Sequence, residues 1–356
     1  MEKVKAGLIG CGRMGAFSSE NVLKYAPKSW FPLSHIEALK ANKQFYIEGI
    51  CDKNTSSLDK AKEKYSIKNC YEDYLELLEN HDLNLLCVAT RTKGRANIIK
   101  DAVKYGTFRF HIEKPLCNST KEFFELEELF LKNNLELTFG TIRRYMPIYN
   151  RARELVNSGE YGLLQQIDIN FANSALYWTH PHSVDLGLFF ANDELPSKVQ
   201  ATLSNLKSEI VDNEYIIDSD PLIETATMFF DNNVTCRIGR GGNFDVILHC
   251  EKGEIIIEAD GARLLARKSK EENPYLEYPF TVFENKYSSP QGSFLALNMH
   301  LESINKKIII DSSHIFNCQR VLFSILESHI KNGFFASPSS IEHSIVINAR
   351  TGDLYA

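Results

Sequence analysis

Val4-Lys5-Ala6-Gly7-Leu8-Ile9-Gly10-Cys11-Gly12-Arg13-Met14-Gly15 is a short apolar run that ends in three spaced glycines. A strand ending this way lets the backbone turn tightly into a helix. The N–H groups exposed at the start of that helix, together with its dipole, favour an anionic group such as a pyrophosphate. Taken alone the glycine pattern is generic. It gains weight from Ile112-Glu113-Lys114-Pro115, which follows a second apolar run further along the chain.

Outward from the glycine turn, short apolar runs alternate with helical patterns. Strands are expected at 3–9, 45–51, 83–89, 108–112 and 135–139, and helices at 34–41, 55–64, 72–79, 94–105 and 119–133. Several strands are nearly continuous apolar stretches, as in a parallel sheet covered on both faces. The last helix opens on Ser119-Thr120-Lys121-Glu122, a capping-box pattern. Strand–helix alternation of this kind predicts an α/β fold with a doubly wound parallel sheet. After about residue 145 the rhythm changes. A helix is expected at 147–157, then strands at 166–172, 225–230, 234–238, 245–250, 253–259 and 279–283. Turn chemistry such as Asp231-Asn232-Asn233 and Asp260-Gly261 joins them. This predicts a large, open, mainly antiparallel sheet with one wet face, beside helices at 182–191 and 315–331. The expected organisation is a dinucleotide-binding domain over 1–140 and an α/β substrate and oligomerisation domain over 141–356. A last helix at 340–349 is expected to pack back toward the first domain.

The 356 residues exceed the usual size of one domain, and 44% hydrophobic with 24% charged residues is ordinary for a globular protein. A net charge of −6 with no concentrated basic stretch argues against nucleic-acid binding. The eight cysteines show no Cys-x-x-Cys spacing and several sit in apolar runs, so buried reduced thiols are expected and no metal site. The chain opens directly on a core strand, which predicts no leader peptide, and no apolar run approaches the ~18 residues needed to span a bilayer. A cytoplasmic protein without a membrane partner is the expectation.

A dinucleotide fold also needs an acidic residue at the end of its second strand, for the adenosine ribose. Asp52, closing Gly49-Ile50-Cys51-Asp52, fills that place. From Gly12 to Asp52 is 40 positions (52 − 12), about twice the usual ~20. An insertion at 17–33, with Pro27, Trp30, Phe31 and Pro32, accounts for the excess by interrupting the first helix before Ser34-His35-Ile36-Glu37 resumes it. An acidic Asp52 favours NAD over NADP, because a 2′-phosphate would be repelled; Lys53 beside it keeps NADP as the alternative. The residues expected around the cofactor are Gly10, Cys11, Gly12, Arg13, Met14, Gly15, Asp52, Ala89, Thr90, Glu113 and Lys114.

With these signatures the chain resembles the Gfo/Idh/MocA oxidoreductase family, which includes glucose–fructose oxidoreductase and inositol 2-dehydrogenase. The resemblance runs through residues 7–15, 34–39, Asp52, Glu113-Lys114-Pro115, Arg144-Tyr145-x-Pro147, Ser158-Gly159-x-x-Gly162, His182-x-x-Asp185 and residues 345–349. It implies a Rossmann domain joined to an α/β domain whose open sheet forms a homo-oligomer, a dimer or tetramer. It further implies a lysine at Lys114 that touches substrate and cofactor, and an acid/base histidine at His182. Chemistry supports His182 independently, since an imidazole both accepts and returns a proton near neutrality. His180 competes for that role. Asp185, three residues on, is placed to orient the His182 ring. Arg144, Tyr145, Trp178, His180 and Asp185 are the expected substrate contacts, with Tyr177 and Trp178 as an aromatic wall.

Three departures stand out. Trp178 occupies the position, four before the histidine, where many relatives carry Asp. Thr90-Arg91-Thr92-x-x-Arg95 stands where the family often reads Thr-Pro-Asn-x-x-His. The 17–33 insertion lengthens the region beside the cofactor turn. Arg91, Arg95, Arg143 and Arg144 would suit an anionic substrate. The expected activity is therefore NAD(P)-dependent hydride transfer at a sugar hydroxyl or ketone, on a nucleotide-linked or amino sugar in preference to a free polyol. The alternatives are a glycosidase that oxidises its substrate transiently, and a non-catalytic NAD-binding regulator.

Overall fold

The computed structural model describes residues 3–269, 279–284 and 290–348. These residues divide into two compact units: one holds 3–142 and 290–315, the other 143–269, 279–284 and 316–348.

In the first unit, strands β1 (Val4–Ile9), β2 (Phe45–Cys51), β3 (Cys70–Tyr71), β4 (Leu85–Val88), β5 (Arg109–Ile112) and β6 (Glu136–Phe139) form one sheet in the order β3-β2-β1-β4-β5-β6. Every pairing in it is parallel. The order reverses beside β1, which is the topological switch point where such sheets take dinucleotides. All four residues of β4 are buried, as covering on both faces demands. Each large apolar side chain so buried contributes about 1.5–3 kcal/mol. Helices α1 (Glu20–Tyr25), α2 (His35–Ala41), α3 (Thr55–Tyr65), α4 (Tyr74–Asn80), α5 (Arg95–Lys104) and α6 (Thr120–Asn133) connect the strands. The Ser119 hydroxyl accepts from the Glu122 N–H at 3.1 Å, while Glu122 reaches back one residue further than a capping box, to the Asn118 N–H.

The first helix is split. After one turn in which the Ala16 N–H reaches the Gly12 carbonyl, the chain leaves on the insertion. It returns so that the His35 and Ile36 N–H groups bond the Met14 and Gly15 carbonyls at 2.8 and 3.0 Å. The insertion is thus spliced into one helical ladder, and removing it restores the usual spacing to Asp52. It packs on the segment before the helix Ser293–Lys306, where the Gln291 N–H bonds the Phe31 carbonyl and Ser293 Oγ the Leu33 carbonyl. That helix, α9 in chain order, covers α2 and completes the first unit.

The second unit starts with α7 (Pro147–Asn157), β7 (Leu164–Asn170) and α8 (His180–Phe190), continues through β8 (Lys198–Ser204), β9 (Ser208–Val211), β10 (Glu214–Ile217), β11 (Leu222–Phe229), β12 (Thr235–Gly239), β13 (Asp245–Cys250), β14 (Gly253–Glu258), β15 (Arg263–Lys268) and β16 (Thr281–Glu284), and ends with α10 (Ser313–Ile330, which begins in the first unit) and β17 (Ser344–Ile347). Eight strands form a sheet in the order β16-β15-β14-β13-β7-β12-β11-β8, antiparallel except for β7 with β12. Burial alternates along β8 and β13, leaving one face wet. A row of polar contacts crosses five adjacent strands on that face: Arg267–Glu254, Glu254–His249, His249–Asp168 and Asp168–Arg237.

Residues 344–347 correct the expectation of a final helix at 340–349. They are a strand paired in parallel with β10, in a three-stranded sheet β17-β10-β9 of the second unit. The β-branched Ile345-Val346-Ile347 suits a strand, and Glu327 accepts the Glu342 and His343 N–H groups that would have opened a helix. Ala349 lies outside the described residues. All eight cysteines are free, seven of them buried. Among the described residues no helix is long and apolar enough to cross a membrane.

Candidate active site

The glycine turn is shaped by what a side chain would strike. At Gly10, with φ +97°, a Cβ would sit 2.7 Å from the Ala89 carbonyl carbon and 2.8 Å from the Thr90 nitrogen. At Gly15 it would overlap the Gly10 carbonyl oxygen. At Gly12 it would meet nothing within 4 Å. The outer glycines therefore let the turn close on itself and on the end of β4, whereas the exposed middle one leaves space for a ligand. Asp52 accepts the Cys11 N–H at 2.6 Å and the Asn54 N–H at 2.8 Å, which fixes the end of β2 against the turn. Asp52, Arg13, Met14, Ala89 and Thr90 are all half-buried around this edge. Open space at Gly12 and a carboxylate at the end of β2 fit a dinucleotide.

Two buried groups hold the Glu113-Lys114-Pro115 turn at the end of β5. The Glu113 carboxylate, expected at the cofactor, is instead turned inward and bonds His35 Nε2 at 3.0 Å. Burial alone would raise its pKa, but the His35 hydrogen bond and the nearby Lys114 and Arg95 charges hold it below the usual glutamate value. Gly140, just past β6, makes room: a Cβ there would lie 2.7 Å from Glu113 Oε2. Arg95 is the second support. Its guanidinium, 2% exposed, donates to the carbonyls of Thr90, Glu113 and Pro115. Burial pushes its pKa down to about 10, which still leaves it charged at neutrality. Lys114 itself is half-buried, between two carbonyls that Arg95 ties down.

His182 belongs to the second unit, on the first turn of α8, where its N–H bonds the Thr179 carbonyl at 3.1 Å. It is half-buried, whereas His180 is 1% exposed, faces Ser183 Oγ at 3.0 Å and is pushed down to about 4 by burial. A buried imidazole that stays neutral is a poor acid/base, so the accessible His182 is the better of the pair. Trp178 and Tyr145 are half-buried; Tyr177, expected in an aromatic wall, is fully buried.

Asp185, one turn of α8 on from His182, is also held by an arginine. It is fully buried, and Arg144 Nε donates to both of its oxygens at 2.9 and 3.0 Å. Arg144 also bridges to Asp193 at 2.9 Å. Arg143 is likewise paired, with Asp260 at 2.5 and 2.7 Å, and Tyr149 donates to the same carboxylate. Of the four arginines that suggested an anionic substrate, three are therefore buried on partners inside the protein and only Arg91 is exposed. Sequence reasoning assigned neither His35 nor Gly140 a role. Their signal was weak: a histidine opening the resumed helix and a glycine closing a strand.

Residues 4–141 match the model of the Gfo/Idh/MocA oxidoreductase family, an NAD-binding Rossmann fold. A myo-inositol 2-dehydrogenase from Thermotoga maritima is 27% identical over 161 residues, which covers 45% of this chain and 42% of that protein. The match therefore spans less than half of the relative's length. Among solved structures, a levoglucosan dehydrogenase in complex with NADH and L-sorbose superposes with a TM-score of 0.71, 16% identity, 95% of this chain and 99% of that one. The transcriptional regulator Gal80p from Kluyveromyces lactis superposes with a TM-score of 0.72, 15% identity, 96% of this chain and 92% of that one. At such identities these structures share the fold.

Proposed function

We propose that this chain, whose residues 4–141 match the model of the Gfo/Idh/MocA oxidoreductase family, is an NAD-dependent dehydrogenase acting at a CH–OH carbon of a sugar or inositol-like polyol. NAD, when bound, supplies the hydride acceptor. Lys114 donates a hydrogen bond to the reacting oxygen and favours its negative charge. His182 takes the hydroxyl proton and returns it in the reverse direction. Gly12 leaves room for the pyrophosphate and Asp52 accepts from the adenosine ribose. The observation that carries this reading is the support of the Lys114 turn by Arg95 and by the His35–Glu113 pair. Burial of Arg95, Arg143 and Arg144 removes most of the argument for a nucleotide-linked sugar, so the substrate proposed is an uncharged polyhydroxy compound.

Lys114→Ala and His182→Ala should each lower kcat by at least about 10²-fold, the scale of a lost acid/base group, while NADH binding followed by fluorescence persists. Full activity in either variant overturns the assignment. Trp178, where relatives often carry Asp, is the residue that favours a second reading. In it the chain either cleaves a glycoside with no net change in NADH, or binds NAD as a regulator without turnover. Following absorbance at 340 nm and product release on the same substrates separates all three.

We also propose assembly as a dimer or tetramer through the wet face of the eight-stranded sheet. The exposed guanidinium groups of Arg237 and Arg267 on that face make such contacts salt-dependent. Light scattering at about 0.05 and 1 M salt should show the mass changing, and a monomer at both salts sinks the idea.

A further inference from the structure

Arg95 is an expensive residue to bury. A guanidinium taken out of water needs compensation, and here its hydrogen bonds go to main-chain carbonyls alone: those of Thr90, Glu113 and Pro115. The Glu113 carboxylate beside it is taken by His35, and Glu122 accepts from the Asn118 N–H. Two of the three carbonyls flank Lys114 and share one nitrogen, Nη1. The Glu113 carbonyl belongs to the peptide plane that enters Lys114 and the Pro115 carbonyl to the plane that leaves Pro115, so these bonds hold both ends of the Lys114-Pro115 segment. With the Pro115 φ set by its ring, that restricts the direction in which the Lys114 side chain leaves the backbone. The third carbonyl, that of Thr90, lies at the end of β4, against which the glycine turn closes. The guanidinium fork reaches them from two separate nitrogens, Nη1 to Glu113 and Pro115 and Nη2 to Thr90. A lysine offers a single nitrogen, and an imidazole, the group the family often carries here, offers two at its opposite corners.

We propose that Arg95 is a positioning residue for Lys114, aiming its ammonium and tying that aim to the β4 end of the cofactor edge. This rests on the dehydrogenase reading above for its effect on turnover, but not for its effect on Lys114.

The test uses the full chain with Arg95→Lys, Arg95→His and Arg95→Ala. Each is measured for kcat and KM on the best polyol found, for NADH affinity by fluorescence, and for the acetylation rate of Lys114 by mass spectrometry. The proposal expects kcat to fall by about 10–10²-fold, the scale of a misplacement near 1 Å. NADH affinity should stay within about threefold, and the acetylation rate of Lys114 should change relative to that of exposed lysines. Arg95→Lys, which keeps the charge and loses the fork, should resemble Arg95→Ala; it decides the matter if the alanine variant does not fold. Unchanged Lys114 acetylation overturns the proposal, as does a loss of NADH affinity parallel to the loss of kcat, since both describe a merely structural arginine. If the parent chain turns over no polyol yet Lys114 acetylation still responds to Arg95, the dehydrogenase reading fails and the positioning role stands.

Discussion

Around Lys114 the first unit sets a buried arginine against backbone carbonyls, whereas the second unit, which carries His182, sets buried arginines against carboxylates. Arg95 meets Thr90, Glu113 and Pro115 through their main chain; Arg144 meets Asp185 and Asp193 through their side chains. The difference teaches what each arginine is for. Carbonyls are part of the backbone itself, so a cation that gathers those of Glu113 and Pro115 with that of Thr90 fixes the path of the chain around Lys114 and ties it to the end of β4. Carboxylates come from separate elements, so a cation that pairs with them joins α8 to the chain before α7 and to the loop after α8. The first arrangement controls geometry and the second controls stability.

The largest expected effect tests the second half of that contrast. Asp185→Ala leaves the Arg144 guanidinium buried with Asp193 as its remaining carboxylate, and breaking a buried pair from one side costs about 3–5 kcal/mol. Urea denaturation of the intact protein should show a loss of that order. A loss below about 1 kcal/mol would mean the pair holds little, and Asp185 would return as a candidate ligand-facing group. Pairing raises the Arg144 pKa above its ordinary value despite burial, so the cation persists at every pH at which the protein is handled.

The same contrast explains what was legible in the sequence. The first unit's strands could be read because a sheet covered on both faces needs continuous apolar runs, as in Leu85-Leu86-Cys87-Val88. The glycine turn could be read because only glycine escapes the overlap with neighbouring backbone. Those signals are local. The return of α9 to the first unit was not legible, since the contacts that decide it join residues 31 and 291, or 33 and 293. Nor was the strand at Ser344–Ile347, whose partner β10 lies some 130 residues earlier. Arginine misled for a related reason. A sequence displays the charge but not the partner, and Arg95, Arg143 and Arg144 all look like ligand groups until their acceptors are seen.

A smaller effect separates backbone need from ligand need within the glycine turn itself. Alanine at Gly15 would push its Cβ into the Gly10 carbonyl, so the turn must open. Forced crowding of this kind costs typically 1–3 kcal/mol. Alanine at Gly12 strikes no protein atom, and a surface change free of such conflicts shifts stability by less than about 0.5 kcal/mol. If a pyrophosphate crosses Gly12, that variant should keep its melting temperature without ligand and lose the upward shift that NADH gives the parent chain. Gly15→Ala should lower the melting temperature before any ligand is added. Should Gly12→Ala retain the full NADH shift, the space above Gly12 is not where the cofactor lies. The two alanines thus distinguish a glycine kept for the backbone from one kept for the ligand, within a single turn of chain.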